Sequence, residues 1–195
     1  MVQGPLAPDS DDHFVALALE GDLRAFERLV GRYRDVVYRI AARIAGEDEA
    51  EDVTQDTFLR AYHRLGRYRG DGPFRAWLLQ IAQNTALTAA SRRKVGAIPL
   101  TALEEEEPVA APASLADDIE ARERRRRLDV KVKGLSPQHR TVLVLRDIEG
   151  LSYDEIARVT EAPIGSVKAR LHRARGELIE LLRNNTYDWE LPRGR

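Results

Sequence analysis

Apolar residues recur along this chain at helical spacing, and no stretch of any length alternates as a strand would. Phe26, Leu29, Val30, Tyr33, Val37, Ile40, Ala41 and Ile44 follow one another over several turns, and Gly46 closes that helix. A second helix is predicted from about Asp48 to Leu65, ended by Gly66. Arg67 to Pro73 is a loop punctuated by Gly70, Gly72 and Pro73, and a third long helix runs from Phe74 to about Arg93. Periodicity then stops. Val95 to Ala113 carries Pro99, Pro108, Pro112 and the run Glu104 to Glu107, a composition that buries too little surface to offset its ordering entropy.

Helical signals return near Ala116 with a charged helix to about Lys133. Ser136 is placed to N-cap the next helix with Pro137 at its first position, where proline's missing N–H costs nothing; that helix ends near Gly150. Ser152-Tyr153-Asp154-Glu155 reads as a capping box opening a short helix to about Val159. A turn with Pro163 follows, then a last helix from about Gly165 to Leu182. The expected fold is all-α: two small helical domains, residues 12–94 and 116–183, joined by a flexible acidic linker, 95–115. Residues 1–10 read as a disordered lead, and the tail 184–195 carries no assignable role.

Composition narrows the chemistry. The 195 residues suffice for one ordinary domain or two small ones. There is no cysteine, which excludes disulfides and thiolate zinc and suits a reducing compartment. His13, His63, His139 and His172 are scattered with no i, i+4 pair, so neither metal nor cofactor is expected. No apolar run approaches the ~20 residues of a membrane span. Met1 to Asp12 is acidic and contains proline, unlike a signal peptide. A soluble cytoplasmic protein is expected. The net charge of −1 hides segregation. Val95 to Ala121 lacks Lys and Arg, whereas basic residues gather at Arg92-Arg93-Lys94, Arg122 to Arg127 and Lys168 to Arg175.

Helix, short turn, helix over Ser152 to Arg175 is the layout that seats a second helix in a major groove. At 100° per residue, Val167, Leu171, Ala174 and Leu178 form one apolar stripe facing a core. Ser166, Ala169, His172 and Arg173 face away from it, flanked by Lys168, Arg170 and Arg175. Such a cationic face meets phosphates, and a long side chain can reach base edges. A merely solvated basic face is the competing reading; it leaves the capped short helix and tight turn unexplained.

On the helix of residues 49–65, Ala50, Thr54, Thr57, Phe58, Ala61 and Leu65 suit a core. The other side presents Asp52, Gln55, Asp56, Leu59 and His63, an acidic patch around an apolar centre that fits a protein partner better than DNA. An ordinary charged face with one exposed leucine is the alternative.

Two motif sets carry a family resemblance. Asp52-Val-Thr-Gln55-Asp56-Thr-Phe58-Leu59-Arg60-Ala61-Tyr62, followed by Phe74-Arg-Ala-Trp77-Leu78-Leu-Gln-Ile81-Ala82-Gln-Asn84, resembles region 2 of the extracytoplasmic-function (ECF) sigma factors of the sigma-70 family. Leu135-Ser136-Pro137, Gly150 to Ala157 and Pro163 to Arg175 are similar to their region 4. The resemblance implies that Asp52, Gln55, Asp56 and Leu59 dock on the clamp helices of core RNA polymerase. It implies that the helix from Phe74 to Lys94, with Arg92 and Arg93, opens and reads the −10 element. Asn84 would then hold a base flipped out of the duplex, in a pocket lined by the loop Arg67-Tyr68-Arg69. Trp77 lies beside Asn84 on the helical wheel, with the core as its competing place.

For the second domain the resemblance implies −35 recognition through Ser166, Lys168, Ala169, Arg170, His172 and Arg173, a seat on the polymerase flap, and an anti-sigma factor as a further partner. The acidic linker would thread toward the active-site cleft, a mere solvated tether being the alternative. Two positions depart from the family: Thr88 replaces a common acidic residue, and Ala169 a frequent small hydroxyl residue. A stand-alone helix-turn-helix regulator is the alternative function, but it has no reason for the acidic face beside a strand-opening helix. An enzyme is not expected, since no nucleophile–base set, metal cluster or phosphate loop is present.

Overall fold

The computed structural model describes residue 7 and residues 9–96 and 127–183; within these the side chains of 93–96 are not described. Most of the lead, the linker beyond residue 96, the tail and the first part of the charged helix fall outside the described residues. So does the side chain of Arg93.

Helix α1 (Asp11–Leu19) is capped by Ser10, whose hydroxyl accepts the His13 N–H at 3.2 Å. The chain reverses at Gly21, where φ is +98°, and Asp22 caps α2 (Leu23–Ile44) by accepting the Arg24 N–H at 2.9 Å. Periodicity alone runs through this break; the Gly-Asp pair marks it. Helix α3 (Glu47–Arg64) continues as a single 3-10 turn, Leu65–Arg67, before α4 (Phe74–Gly96). Leu29, Val37, Ile40 and Ile44 of α2, Ala50 and Ala61 of α3, and Phe74, Leu78 and Leu79 of α4 fill the core. Thr54, Thr57 and Thr85 are buried too, each hydroxyl donating to the carbonyl four residues back, so the core holds these polar atoms without orphaning them.

The second domain opens with α5 (residues 127–134). Ser136 and Pro137 start α6 (Pro137–Leu143) as expected. The helix then widens into a π turn, Val144–Ile148, which the sequence did not announce. It closes with the Leu151 N–H on Leu145 O at 2.9 Å and Gly150 at φ +70°. The capping box is complete: Ser152 Oγ accepts the Glu155 N–H, and Glu155 Oε2 accepts the Ser152 N–H at 2.8 Å. It starts α7 (Tyr153–Val159), and α8 (Ile164–Arg183) follows the turn. Ile156, Val159, Val167, Leu171 and Ala174 join Val142 to Leu145 in this core. No strand occurs among the described residues, and none of their helices is long and apolar enough to cross a membrane. The domains pack on each other, α4 against α7 and the C-terminal end of α2 against α6 and the π turn.

Candidate nucleic-acid and partner interfaces

Burial divides α3 as its sequence pattern predicts. Ala50, Thr54, Thr57, Phe58, Ala61 and the following Leu65 are buried, while Asp52, Gln55, Asp56, Leu59 and His63 are exposed, Leu59 at 59 %. The four candidate docking residues line one groove of about 340 Å³ between α3 and α4, whose far side is formed by Thr85, Thr88, Ala89 and Arg92. Carboxylates around an exposed leucine suit a basic amphipathic partner rather than a phosphate backbone.

A second open cleft, of about 300 Å³, lies farther along the same helix pair. Asn84, Trp77, Gln80 and Thr88 of α4 form one wall; Arg60, Arg64 and Arg67 form the other. Asn84 is exposed and lines this space. Trp77 is half-buried: its ring lies 5.5 Å from Tyr68 and 5.6 Å from Phe74, so it belongs to the core edge and to the cleft at once. Of the candidate loop residues, only Arg67 lines the cleft. Tyr68 instead packs edge-on to Phe74 and donates its hydroxyl to Gly72 O at 2.7 Å, shaping the loop. Its burial, aided by Asp12 and Asp11, holds the phenol above its ordinary pKa. Arg69 is exposed and stands outside the cleft's lining.

Helix α8 keeps its stripe inward: Val167, Leu171 and Ala174 are buried and Leu178 packs against them. Lys168, Ala169, His172 and Arg173 are exposed, and Ser166 and Arg170 are half-buried. Arg173 folds back on its own helix, Nε to Ala169 O at 3.3 Å, free to extend. Lys168 is stationed 5.5 Å from the face of Tyr153, whose ring also carries Arg146 at 4.8 Å. Arg175 is engaged otherwise, pairing with both oxygens of Asp147 at 3.0 and 2.5 Å and so bracing α8 against the π turn.

An acidic groove, a polar cleft and a cationic recognition helix thus coexist on one all-helical chain. Sigma-70 region 2 matches residues 29–95, and Sigma-70, region 4 matches residues 125–178. The RNA polymerase sigma-H factor of Pseudomonas aeruginosa is 37 % identical over 184 residues, covering 87 % of this chain and 92 % of that one. The chain belongs to the ECF sigma factors of the sigma-70 family. The ECF RNA polymerase sigma-E factor of Escherichia coli K12 is 34 % identical over 174 residues, 85 % of this chain and 91 % of its own. Among solved structures, that of CnrH in complex with the cytosolic domain of CnrY has TM-score 0.68 and 32 % identity, covering 91 % of this chain and 100 % of that one. The Bartonella quintana sigma factor RpoE, solved with the anti-sigma factor NepR, shares the fold at TM-score 0.62 and 22 % identity, covering 84 % and 99 %.

In this sigma factor the structure adds residues that sequence reading passed over. These are Arg60 and Arg64, which with the already expected Arg67 recur at i, i+4 and i+7 and line one side of the Asn84 cleft. Arg60 also borders the docking groove and pairs with Asp56 at 3.3 Å. The two depressions therefore share a wall formed by Arg60, Thr85 and Thr88.

Proposed function

We propose that this alternative sigma factor binds core RNA polymerase through the α3 face, opens −10 DNA in the Asn84 cleft and reads −35 duplex with α8. The observation that carries this reading is the placement of an exposed amide, Asn84, in a cleft walled by three arginines and a half-buried indole. Guanidinium groups neutralise the phosphates of a separated strand, an aromatic edge supplies stacking, and an amide satisfies the edge of an extruded base. Thr88, in the same wall, offers a neutral hydroxyl where an acid is common, so base selection there rests more on Asn84 and Gln80. Asp52, Gln55, Asp56 and Leu59 dock on the clamp helices. On α8, Lys168, Ala169, His172 and Arg173 face the major groove, Ser166 and Arg170 its margins, and Arg92, Arg93 and Arg69 the backbone near −10.

The protein acts without covalent chemistry of its own, in the cytoplasm at the nucleoid, and the polymerase flap holds its second domain. An anti-sigma factor is its other protein partner, a reading supported by the related CnrH fold held by the cytosolic domain of CnrY. The test is permanganate footprinting of open complexes formed with core polymerase on a promoter selected in vitro. Asn84→Ala should lower reactivity near −10 on duplex template and recover on a pre-melted bubble. Equal loss on both templates would reject base capture.

A further inference from the structure

Helix α1 is nine residues long and fully buries only Val15 and Ala18, yet its first turn is bound to α2 by charge. Asp11 gives both oxygens to α2: Oδ1 accepts from Arg32 Nη1 at 2.6 Å, and Oδ2 accepts from the Tyr33 hydroxyl. Arg32 also donates to Asp9 O and Oδ1, both at 3.0 Å, and lies 5.4 Å over the Phe14 ring. Tyr33 is buried, and that burial, with the Asp11 bond, holds its phenol well above the ordinary range. It therefore stays a hydrogen-bond donor at neutral pH.

From Tyr33 the contacts run on as aromatic rings. Its ring centroid lies 5.9 Å from that of Phe74, the first residue of α4. Phe74 in turn lies 5.7 Å from Tyr68 and 5.6 Å from Trp77, and Tyr68 and Trp77 close the cluster at 5.5 Å. Helix α1 also packs against the 3-10 turn Leu65–Arg67, which leads directly into Tyr68. Trp77 and Arg67 line the Asn84 cleft, whereas Asp11 and Tyr33 do not. We propose that Asp11 is a positioning residue for −10 strand capture: through the Tyr33 hydroxyl it fixes Phe74, and through Phe74 it sets the Trp77 ring and the Tyr68 loop beside Asn84. A carboxylate suits this role, because it is acceptor-only and binds two donors on separate oxygens, one of them charged. Close-packed rings carry the constraint onward, since a packed interior has no slack to absorb a displaced neighbour.

The inference rests on the Asn84 cleft being the strand-capture site, and Asn84→Ala tests that reading in parallel. The chain has two tryptophans, so Trp189→Phe in the full-length protein leaves Trp77 as its one indole reporter. In that background, Tyr33→Phe keeps the ring and every Arg32 pairing and removes only the hydroxyl. Asp11→Ala removes the acceptor, and Asp11→Asn keeps one oxygen for the phenol. Holoenzyme formed with core polymerase is assayed by permanganate reactivity near −10 on duplex template. Tyr33→Phe and Asp11→Ala should each lower open-complex formation about tenfold, the scale of a hydrogen bond to a charged group. Asp11→Asn should lose less than half as much on a logarithmic scale. Combining Tyr33→Phe with Asp11→Ala should cost no more than either alone, because both break one shared bond.

Trp77 emission should shift to longer wavelength in both single variants, while core affinity and second-domain duplex binding stay at the parental value. Parental opening in Tyr33→Phe would overturn the proposal, even if Asp11→Ala fails to fold. A lower melting temperature with opening unchanged would reduce Asp11 to a clamp on α1 and overturn it equally. Multiplying losses in the double variant, or lost opening without an emission shift, would overturn transmission through Tyr33 and the ring cluster. Parental opening in Asn84→Ala, with the Asp11 and Tyr33 variants behaving as described, would instead indict the reading of the cleft.

Discussion

Trp77 is asked to serve two ends, and the structure gives the size of each. Truncating a fully buried tryptophan to alanine costs about 3–5 kcal/mol. Trp77 is half-buried, with ring neighbours Tyr68 at 5.5 Å and Phe74 at 5.6 Å. Halving the burial figure gives about 2 kcal/mol, which agrees with two aromatic contacts at about 0.5–1.5 kcal/mol each. For a chain of this size that is a fall in melting temperature of about 4–8 °C. Trp77→Phe keeps a ring in the cluster and should lose less than half as much. Asn84→Ala, at an exposed position in the same cleft, should stay within about 0.5 kcal/mol of the parent. Thermal unfolding followed by circular dichroism ranks the three variants, and footprinting on the bubble template separates stability from capture. Trp77→Ala melting like the parent would refute its place in the Tyr68–Phe74 cluster and the loop-shaping argument built on it.

Arg173→Ala should relax preference at one or two −35 positions in a randomised-site selection, since a base contact contributes about 1–3 kcal/mol of discrimination. Arg175→Ala should leave the selected motif unchanged and lower stability instead, because Arg175 braces Asp147; a changed motif would contradict that bracing role. The Glu155 carboxyl gives an acid limb. Burial works to raise its pKa, but the Ser152 N–H and hydroxyl and the Arg75 guanidinium outweigh it and hold it below the ordinary value. The stability it contributes is complete above the unfolded pKa of about 4.3 and is lost as pH falls through the lower folded value. Glu155→Gln should therefore flatten the decline in melting temperature on acidification; an identical acid limb in the variant would contradict this.

The local elements were legible because their signals are chemical and short-range. Ser136-Pro137 and the Ser152–Glu155 box specify helix starts through backbone N–H groups that need partners, and both starts stand where the sequence puts them. The inward stripe of α8 and the divided faces of α3 follow from helical geometry alone. What escaped sequence reading depends on distant partners. The π turn at Val144–Ile148 is closed by the Leu151 N–H on Leu145 O, and nothing in its composition marks it. Arg39 and Glu149 lie 110 positions apart, each an ordinary surface residue until the domains close. Within the candidate base cleft, Asn84 and Arg67 were visible through the family resemblance, whereas Arg60 and Arg64 enter only once α3 and α4 are packed side by side.

The central claim is that the exposed face of α3 delivers this chain to core RNA polymerase. Asp52→Arg with Gln55→Ala alters two exposed positions in the groove and leaves the α3 core untouched. Fluorescence anisotropy of the labelled protein, titrated with core polymerase, measures the consequence directly. Loss of a central docking contact of about 2 kcal/mol or more predicts an affinity at least about thirtyfold weaker, with melting temperature and helicity nearly unchanged. Parental affinity in the double variant would contradict the account at its foundation.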